Sequence, residues 1–294
     1  YKGNGQGAVI NQGRIVANDP NGYIALLAPE VRNEGFVLAR KGPGNAVAMA
    51  SGEQITLNFQ GNQMIGVSVD VGIYKGLIEN KRVVEVNGGL VVLAAGSANK
   101  LMASVIKNTG RISAGSAVNN GGVIELVAST VTQAGVISAN AKAPGAKGGS
   151  INIVGENITL ASNSKTTATG NAGGGQINVG LSANNAATAT AATQLNQAVN
   201  TPQVNLTTAA NSTVNQEMVK QAAQVAVNNG QMAKTVTVES GAKVDASATE
   251  SGNGGSIAIW SQVKTVVAGV LKATGGLLGG NGGFIETSSK GLVS

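Results

Sequence analysis

Short runs of alternating apolar and polar residues, each introduced by a pair of glycines, recur along the chain. Gly254-Gly255 precedes a run with apolar residues at Ile257 and Ile259, and Gly282-Gly283 precedes a run that begins at Phe284. Apolar residues at every second position are typical of β-strands, and glycine clusters between such runs are typical of tight turns. The pattern therefore predicts a protein built largely from short strands.

The glycine pairs recur at a nearly fixed period. Their second members are separated by 33, 27, 26, 80 and 28 residues and stand at Gly89, Gly122, Gly149, Gly175, Gly255 and Gly283. A recurring interval of this length indicates a solenoid, in which each repeat forms one coil of a continuous stack. From the period we expect roughly 10 to 12 coils. The 80-residue interval should contain an additional segment.

A second repeated phrase places an amide side chain two residues before a glycine, with apolar residues on either side. Its best copies run from Val9 to Ala17, from Val31 to Ala39 and from Ile106 to Ala114, and degenerate copies carry Gln133 or Ser240 at the amide position. Residues two apart share one side of a strand, so stacked copies would align into a ladder at a coil turn. The alternative is a set of unrelated hairpin turns. The predicted ladder consists of Asn11, Asn33, Asn80, Asn108, Gly13, Gly35, Gly110 and Gly135.

Two regions depart from the repeat. Near residues 55–71, alternation on both sides of Gln60-Gly61-Asn62 indicates an antiparallel hairpin with a type I′ turn. Residues 181–233 are rich in Ala, Thr, Asn and Gln and lack a glycine pair, and Gln216–Val225 contains good helix formers. We predict coils in 1–180, an insertion at 181–233 that is part helical or disordered, and coils of the same stack in 234–294.

Several stretches resemble the filamentous-haemagglutinin-like adhesins, the large exoproteins of bacterial two-partner secretion. The most specific are Gly282–Ser288 and Ile259–Ser261; Asn21–Ala39, Ser51–Gly61, Gly88–Leu101 and Asn108–Ala114 also match. The resemblance is to the segment that follows the secretion-signal domain, and it implies a right-handed parallel β-helix. The Asn-Pro-Asn signals of the secretion domain are missing, and Asp19-Pro20-Asn21-Gly22 is only a faint echo of them. Residues 181–233 are also longer than the usual connection in the family.

The amino-acid composition excludes several kinds of catalytic and metal site. The chain contains 43 glycines among 294 residues, 42% hydrophobic residues, 2% aromatic residues and no Cys or His. Disulfides, thiolate or imidazole metal sites and Ser-His-Asp triads are therefore excluded. The 14 carboxylates are scattered, and the nearest neighbours, Glu30 and Glu34, flank a strand, whereas a glycosidase needs two facing carboxyl groups. We expect no catalytic residues, no metal and no cofactor.

The balance of basic and acidic residues indicates which classes of partner the chain could bind. The net charge is +6, but Lys and Arg form no run, and few aromatics accompany them. This pattern does not favour nucleic-acid binding, and weak attraction to anionic glycans or cell surfaces is the stronger functional interpretation. No apolar run is long enough for a membrane helix. Trp260 and Tyr23 are candidate sugar-stacking residues, although Trp260 is equally suited to packing within a coil.

Together these features predict a non-enzymatic, surface-exposed fibre or adhesin module of a secreted bacterial exoprotein. It would act as a rigid shaft in attachment, aggregation or biofilm formation, at the outer-membrane surface or outside the cell. Its expected partners are a host-cell, glycan or sister-cell surface. The resemblance adds an outer-membrane transporter for the full-length protein, though not through this segment. The alternatives are the shaft of a contact-dependent toxin or haem-scavenging exoprotein and, less favoured, a polysaccharide-processing β-helix enzyme.

Overall fold

Three long parallel sheets run along the molecule. The structure, a computed structural model, describes residues 1–3, 5–42, 44–97, 104–180 and 233–293, and within these ranges it contains strands and turns but no helix. Successive strands of each sheet come from successive coils and pair in parallel. The predicted parallel β-helix is therefore confirmed.

The strands are numbered in chain order; each of the eight complete coils contributes one strand to each sheet in turn, and β27 begins a ninth coil. The first sheet contains β1 (Ala8–Asn11), β4 (Glu30–Asn33), β9 (Leu77–Asn80), β12 (Val105–Asn108), β15 (Thr130–Gln133), β18 (Asn157–Leu160), β21 (Thr235–Val238), β24 (Lys264–Val267) and β27 (Leu292–Val293). The second contains β2 (Arg14–Val16), β5 (Phe36–Ala39), β10 (Val83–Val86), β13 (Arg111–Ser113), β16 (Val136–Ser138), β19 (Lys165–Thr167), β22 (Lys243–Asp245) and β25 (Val270–Lys272). The third contains β3 (Tyr23–Leu27), β6 (Ala46–Ser51), β11 (Leu90–Ala95), β14 (Val123–Val127), β17 (Ser150–Val154), β20 (Gln176–Val179), β23 (Ser256–Ser261) and β26 (Phe284–Ser289).

The sheets hold nine, eight and eight strands, so the described stack has fewer coils than the 10 to 12 expected from the period. Two segments account for the difference. Residues 54–71 leave the stack as a separate pair of strands. Residues 181–232, which include the predicted helix, lie outside the described part of the chain.

Aliphatic side chains fill the interior in columns that follow the strand register. In the first sheet, Ile78 pairs with Ile106, Ile106 with Val131, Val131 with Ile158 and Ile158 with Val236. All of these side chains are at most 1% exposed. Because side chains alternate along each strand, the inward set packs into one continuous apolar core. Val, Ile and small Ala residues suit this narrow interior.

A column made mostly of glycines lies where the coils enter the third sheet, with Asn45 at this position in the second coil. A Cβ atom added to Gly149 would lie 2.0 Å from the carbonyl oxygen of Gly122, and one added to Gly175 would lie 2.1 Å from that of Gly149. The same approach recurs at Gly255 and Gly283, at 1.9 and 2.0 Å from the preceding coil. No side chain fits between backbones at these distances, which explains why the glycine pairs mark the repeat so clearly.

The stack is continuous between the strands that precede residue 181 and those that follow residue 232. β18 pairs with β21, β19 with β22 and β20 with β23. The N–H group of Ala233 donates to the carbonyl oxygen of Gly180 at 2.9 Å. The two ends of the intervening segment therefore meet within one coil.

β7 (Gln54–Gln60) and β8 (Gln63–Val71) form an antiparallel hairpin on the outer face of the third sheet. Ile55, Met64 and Val67 pack with outward-facing residues of β6 and β11 in a second, smaller core. At the hairpin turn, Gly61 has a φ of +59° whereas Asn62 has none of the positive values that a type I′ turn requires. The expected type I′ turn is therefore wrong. Positive φ at the first central residue alone is the pattern of a type II′ turn, which glycine at that position favours.

Candidate functional site

Five buried amide side chains form a hydrogen-bonded ladder at the corner between the first and second sheets. Asn11 donates to Asn33, Asn33 to Asn80 and Asn80 to Asn108, each from Nδ2 to Oδ1 at 2.8 Å. Asn108 donates to Oε1 of Gln133 at 2.6 Å. All five side chains are at most 7% exposed. The four predicted asparagines thus lie on one line, one per coil, and all bonds point in the same direction along the stack.

Asn11, Asn33 and Asn80 also bond to backbone groups at this corner. The N–H groups of Gly13 and Gly35 donate to Oδ1 of Asn11 and Asn33 at 3.1 and 3.3 Å. Nδ2 of Asn33 makes a second bond to the carbonyl oxygen of Val83 at 3.1 Å. The amide therefore joins its own turn to the strand of the next coil, and its polar atoms are occupied within the protein.

The predicted glycines lie at the same corner, but their surroundings differ. A Cβ on Gly35 or Gly135 would lie 2.1 or 2.0 Å from the carbonyl oxygen of the glycine one coil below, and one on Gly110 would lie 2.2 Å from that of Arg82. Gly13 belongs to the first coil, and a Cβ there would contact nothing within 4 Å. Close backbone approach therefore requires glycine at Gly35, Gly110 and Gly135, whereas Gly13 has open space.

The ladder ends where the corner lengthens. The next two residues in the ladder column are Leu160 and Val238, both buried. Two residues separate Gln133 from Val136, but four separate Leu160 from Lys165, and the longer corner contains Asn163 at a φ of +66°. The sequence pattern places Ser240 at the amide position, but Ser240 lies in the corresponding long corner between β21 and β22, so that alignment is wrong. The column continues instead through an apolar side chain that needs no partner.

The described residues offer little catalytic chemistry. No group of three or more carboxylates among them is arranged to hold a metal ion. Glu30 pairs with Arg32, and Glu34 with Lys81 at 3.1 Å, on the exposed surface. Hydrogen bonds from Gln12 and Lys81 lower the pKa of Glu34, so this carboxylate is held in its charged form. Such a group is suited to a surface ion pair and not to proton transfer near neutral pH.

Glu125 is the one carboxyl group in the described ranges whose pKa is raised. It lies on the outer face of the third sheet, in register with Val92 and Asn152, and is 6% exposed. Burial raises the pKa of Glu125 to about 7, although its hydrogen bond with Asn152 offsets part of the rise. Sequence reasoning gave this residue no role. The available signal was an acidic residue at an outward position within the apolar run Val123–Val127.

The two candidate sugar-stacking residues, Tyr23 and Trp260, differ in how accessible their rings are. Tyr23 is 46% exposed and meets Phe59 of the hairpin edge-on, with ring centroids 5.2 Å apart. Trp260 is only partly exposed, and its Nε1 is buried without a hydrogen-bond partner among the described residues. Tyr23 therefore presents an accessible ring, whereas the indole of Trp260 lies largely against the protein.

Comparison with known proteins supports the fold. No family model and no curated protein sequence matches the chain. Among solved structures, the chain is similar to the crystal structure of the HMW1 secretion domain from Haemophilus influenzae, with a TM-score of 0.69 and 23% sequence identity. The match covers 98% of this chain and 62% of that one. At this identity the likeness establishes a shared fold. The matched protein is itself a secretion domain, so the expectation that our segment follows such a domain stays a prediction.

Within the described ranges, the structure has no helix long and apolar enough to cross a membrane.

We predict that Asn108→Ala lowers the free energy of unfolding by about 2 to 4 kcal/mol, because it removes the buried hydrogen bonds that Asn108 makes with both Asn80 and Gln133. Asn11→Ala should cost less, since Asn11 ends the ladder and has only one amide neighbour. Urea denaturation of both variants would measure the difference, with Asn157→Ala on the exposed surface as control. Equal stability of Asn108→Ala and the parent protein would contradict a stabilising ladder.

Glu125 should make stability depend on pH in a defined direction. Its pKa is about 7 in the folded protein and near 4.5 when unfolded, so the folded state binds more protons between these values. The unfolding free energy should therefore fall as the pH rises from 5 to 8, by up to about 3 kcal/mol relative to Glu125→Gln. Thermal denaturation of both proteins across this range measures the effect. Parallel profiles would refute it, and Glu250→Gln, at an exposed position, is the control.

Proposed function

We propose that this chain is a non-enzymatic module of a secreted bacterial exoprotein, acting as a rigid shaft in attachment, aggregation or biofilm formation. The observation that carries the proposal is the uninterrupted in-register stack of coils, which runs from β1 to β27 through one sheet. The sequence resemblance to filamentous-haemagglutinin-like adhesins and the structural similarity to a secretion domain both support an exported protein.

The geometry suits a shaft. Nine coils about 4.8 Å apart give a rod roughly 40 Å long, and each further coil would extend it by the same step. The coils are linked by backbone hydrogen bonds along three sides and by the amide ladder at one corner. Bending the rod would break these bonds together, so contacts carried by its corner loops are held at fixed spacing from the cell. Those contacts would meet a host cell, a glycan or a sister cell, while an outer-membrane transporter serves the full-length protein.

The segment 181–232 permits a test of the division between shaft and contact surface. Because Gly180 and Ala233 are hydrogen-bonded neighbours, deleting residues 183–232 and joining the ends with a short Gly-Ser linker should preserve the stack. We expect unchanged β-type circular dichroism and cooperative unfolding. Beads coated with the deletion variant should attach less to host cells or to the producing bacterium than beads coated with the parent chain.

A variant in which residues 183–232 are scrambled provides the control, because it keeps the length and composition. Equal loss of attachment in the scrambled and deleted variants would show that the sequence of the segment makes the contact. A folded deletion variant with full attachment would contradict this part of the proposal and assign the contact to the coils. Absence of attachment by the parent chain would contradict an adhesive role for this module.

A further inference from the structure

Three basic side chains lie within four successive coils of one column on the outer face of the second sheet, and Arg14 begins the same column three coils before Arg111. Arg111 pairs in register with Val136, Val136 with Lys165 and Lys165 with Lys243. Their neighbours along each strand, such as Ile112, Thr166 and Val244, point inward and are at most 1% exposed. Arg111, Lys165 and Lys243 are therefore outward-facing, and all three are exposed. We call them the basic column.

No member of the basic column forms an ion pair in the described structure. The ion pairs there involve other cations: Arg32, Arg40, Lys81 and Lys234. The acid nearest in sequence on the same face is Asp245, two residues from Lys243, and its Oδ1 accepts a hydrogen bond from the N–H group of Ser247 at 2.9 Å. The only acids in residues 104–180 are Glu125, which lies buried on another sheet, and Glu156, which pairs with Lys234.

Such a column opposes folding. Lys165 and Lys243 occupy directly paired positions, and like charges facing each other across neighbouring strands are destabilising. The Thr and Asn residues in equivalent outward positions of the first sheet show that neutral side chains fit this stack: Thr130, Asn157 and Thr235 pair in register. An anion seated along the column would remove the repulsion, so the arrangement favours an extended, negatively charged ligand.

We propose that the basic column binds a linear polyuronate, a polysaccharide with one carboxylate on each sugar, laid along the axis of the stack. This inference rests on the proposed extracellular attachment role and names the ligand class for it. Neighbouring coils are about 4.8 Å apart, and an extended pyranose chain advances by a comparable distance per sugar. Successive carboxylates can then approach Lys165 and Lys243, and a third can reach Arg111 two coils away.

The apolar residues of the same column fit a sugar better than a simple charged chain. Val136 separates Arg111 from Lys165, and Val270, which is 57% exposed, follows Lys243. Sugar rings present C–H groups that can pack on such side chains, whereas a nucleic acid would need stacking aromatics between the cations. The described second sheet carries one aromatic on this face, Phe36, and Arg82 already lies over its ring at 5.5 Å. A polyuronate therefore matches the face more closely than a nucleic acid.

The test compares binding of polygalacturonate to the parent chain and to the double variant Lys165→Gln/Lys243→Gln by isothermal titration calorimetry at physiological salt. Loss of two exposed charge contacts should raise the Kd roughly tenfold. The control Lys107→Gln/Lys264→Gln removes the same charge from exposed positions on the first sheet and should bind like the parent. Circular dichroism would verify that both variants fold.

Two further polymers decide the ligand class. Polyglutamate carries carboxylates without sugars and should bind more weakly than polygalacturonate, and neutral dextran should not bind. Three results would overturn the proposal in favour of general charge attraction. They are equal loss of affinity in both double variants, binding of polyglutamate as tight as that of polygalacturonate, and tighter binding of a sulfated glycan. No binding of polygalacturonate would overturn it outright. The assay uses only purified chain and polymer, so failure here is distinct from failure in the bead-attachment assay, which would refute the adhesive role.

Discussion

The backbone hydrogen bonds between neighbouring coils impose the constraint on which the rest of this structure depends. They hold each coil about 4.8 Å from the next over three sheets, so every residue lies almost directly above its counterpart in the coil below. A position that suits one coil must therefore suit its neighbours. Apolar side chains meet apolar side chains in the interior columns, and the glycines entering the third sheet meet glycine carbonyl groups at about 2 Å from a hypothetical Cβ.

The amide ladder follows from the same constraint. A buried asparagine alone would leave polar atoms unsatisfied at a considerable cost, but one in each successive coil supplies both donor and acceptor to its neighbours. The ladder continues through Gln133, whose longer side chain reaches the carbonyl oxygens of Gly135 and Lys165. These bonds satisfy the last amide, and the next coil can place Leu160 in the column without leaving a buried donor unpaired. Register is thus specified by polar bonds in the first part of the stack and by apolar packing in the second.

The local sequence pattern was enough to predict the fold, because each residue must fit directly above its counterpart in the neighbouring coil. The alternation of residues, the glycine pairs and the Asn-Gly spacing are all visible without the structure. Features that depend on the size of a corner were not predictable. The two-residue lengthening between Leu160 and Lys165 shifts the following alignment, so the repeated phrase aligns Ser240 with the amide position, although Val238 occupies that column. Similarly, the burial of Glu125 and the alignment of Lys165 with Lys243 arise from pairing between strands distant in sequence, which composition alone does not reveal.

Engineered cross-linking tests most directly whether the coils form one in-register stack through residues 180 and 233. The chain has no cysteine, and Thr159 of β18 pairs with Thr237 of β21 on the outer face of the first sheet. Their Cα atoms, on adjacent strands, lie within the usual range for a disulfide, whereas Thr159 and Thr235 are offset by two residues. We expect Thr159→Cys/Thr237→Cys to form an intramolecular disulfide rapidly under mild oxidation, and Thr159→Cys/Thr235→Cys to do so slowly. Preferential cross-linking of the offset pair, or equal rates for both, would contradict this expectation.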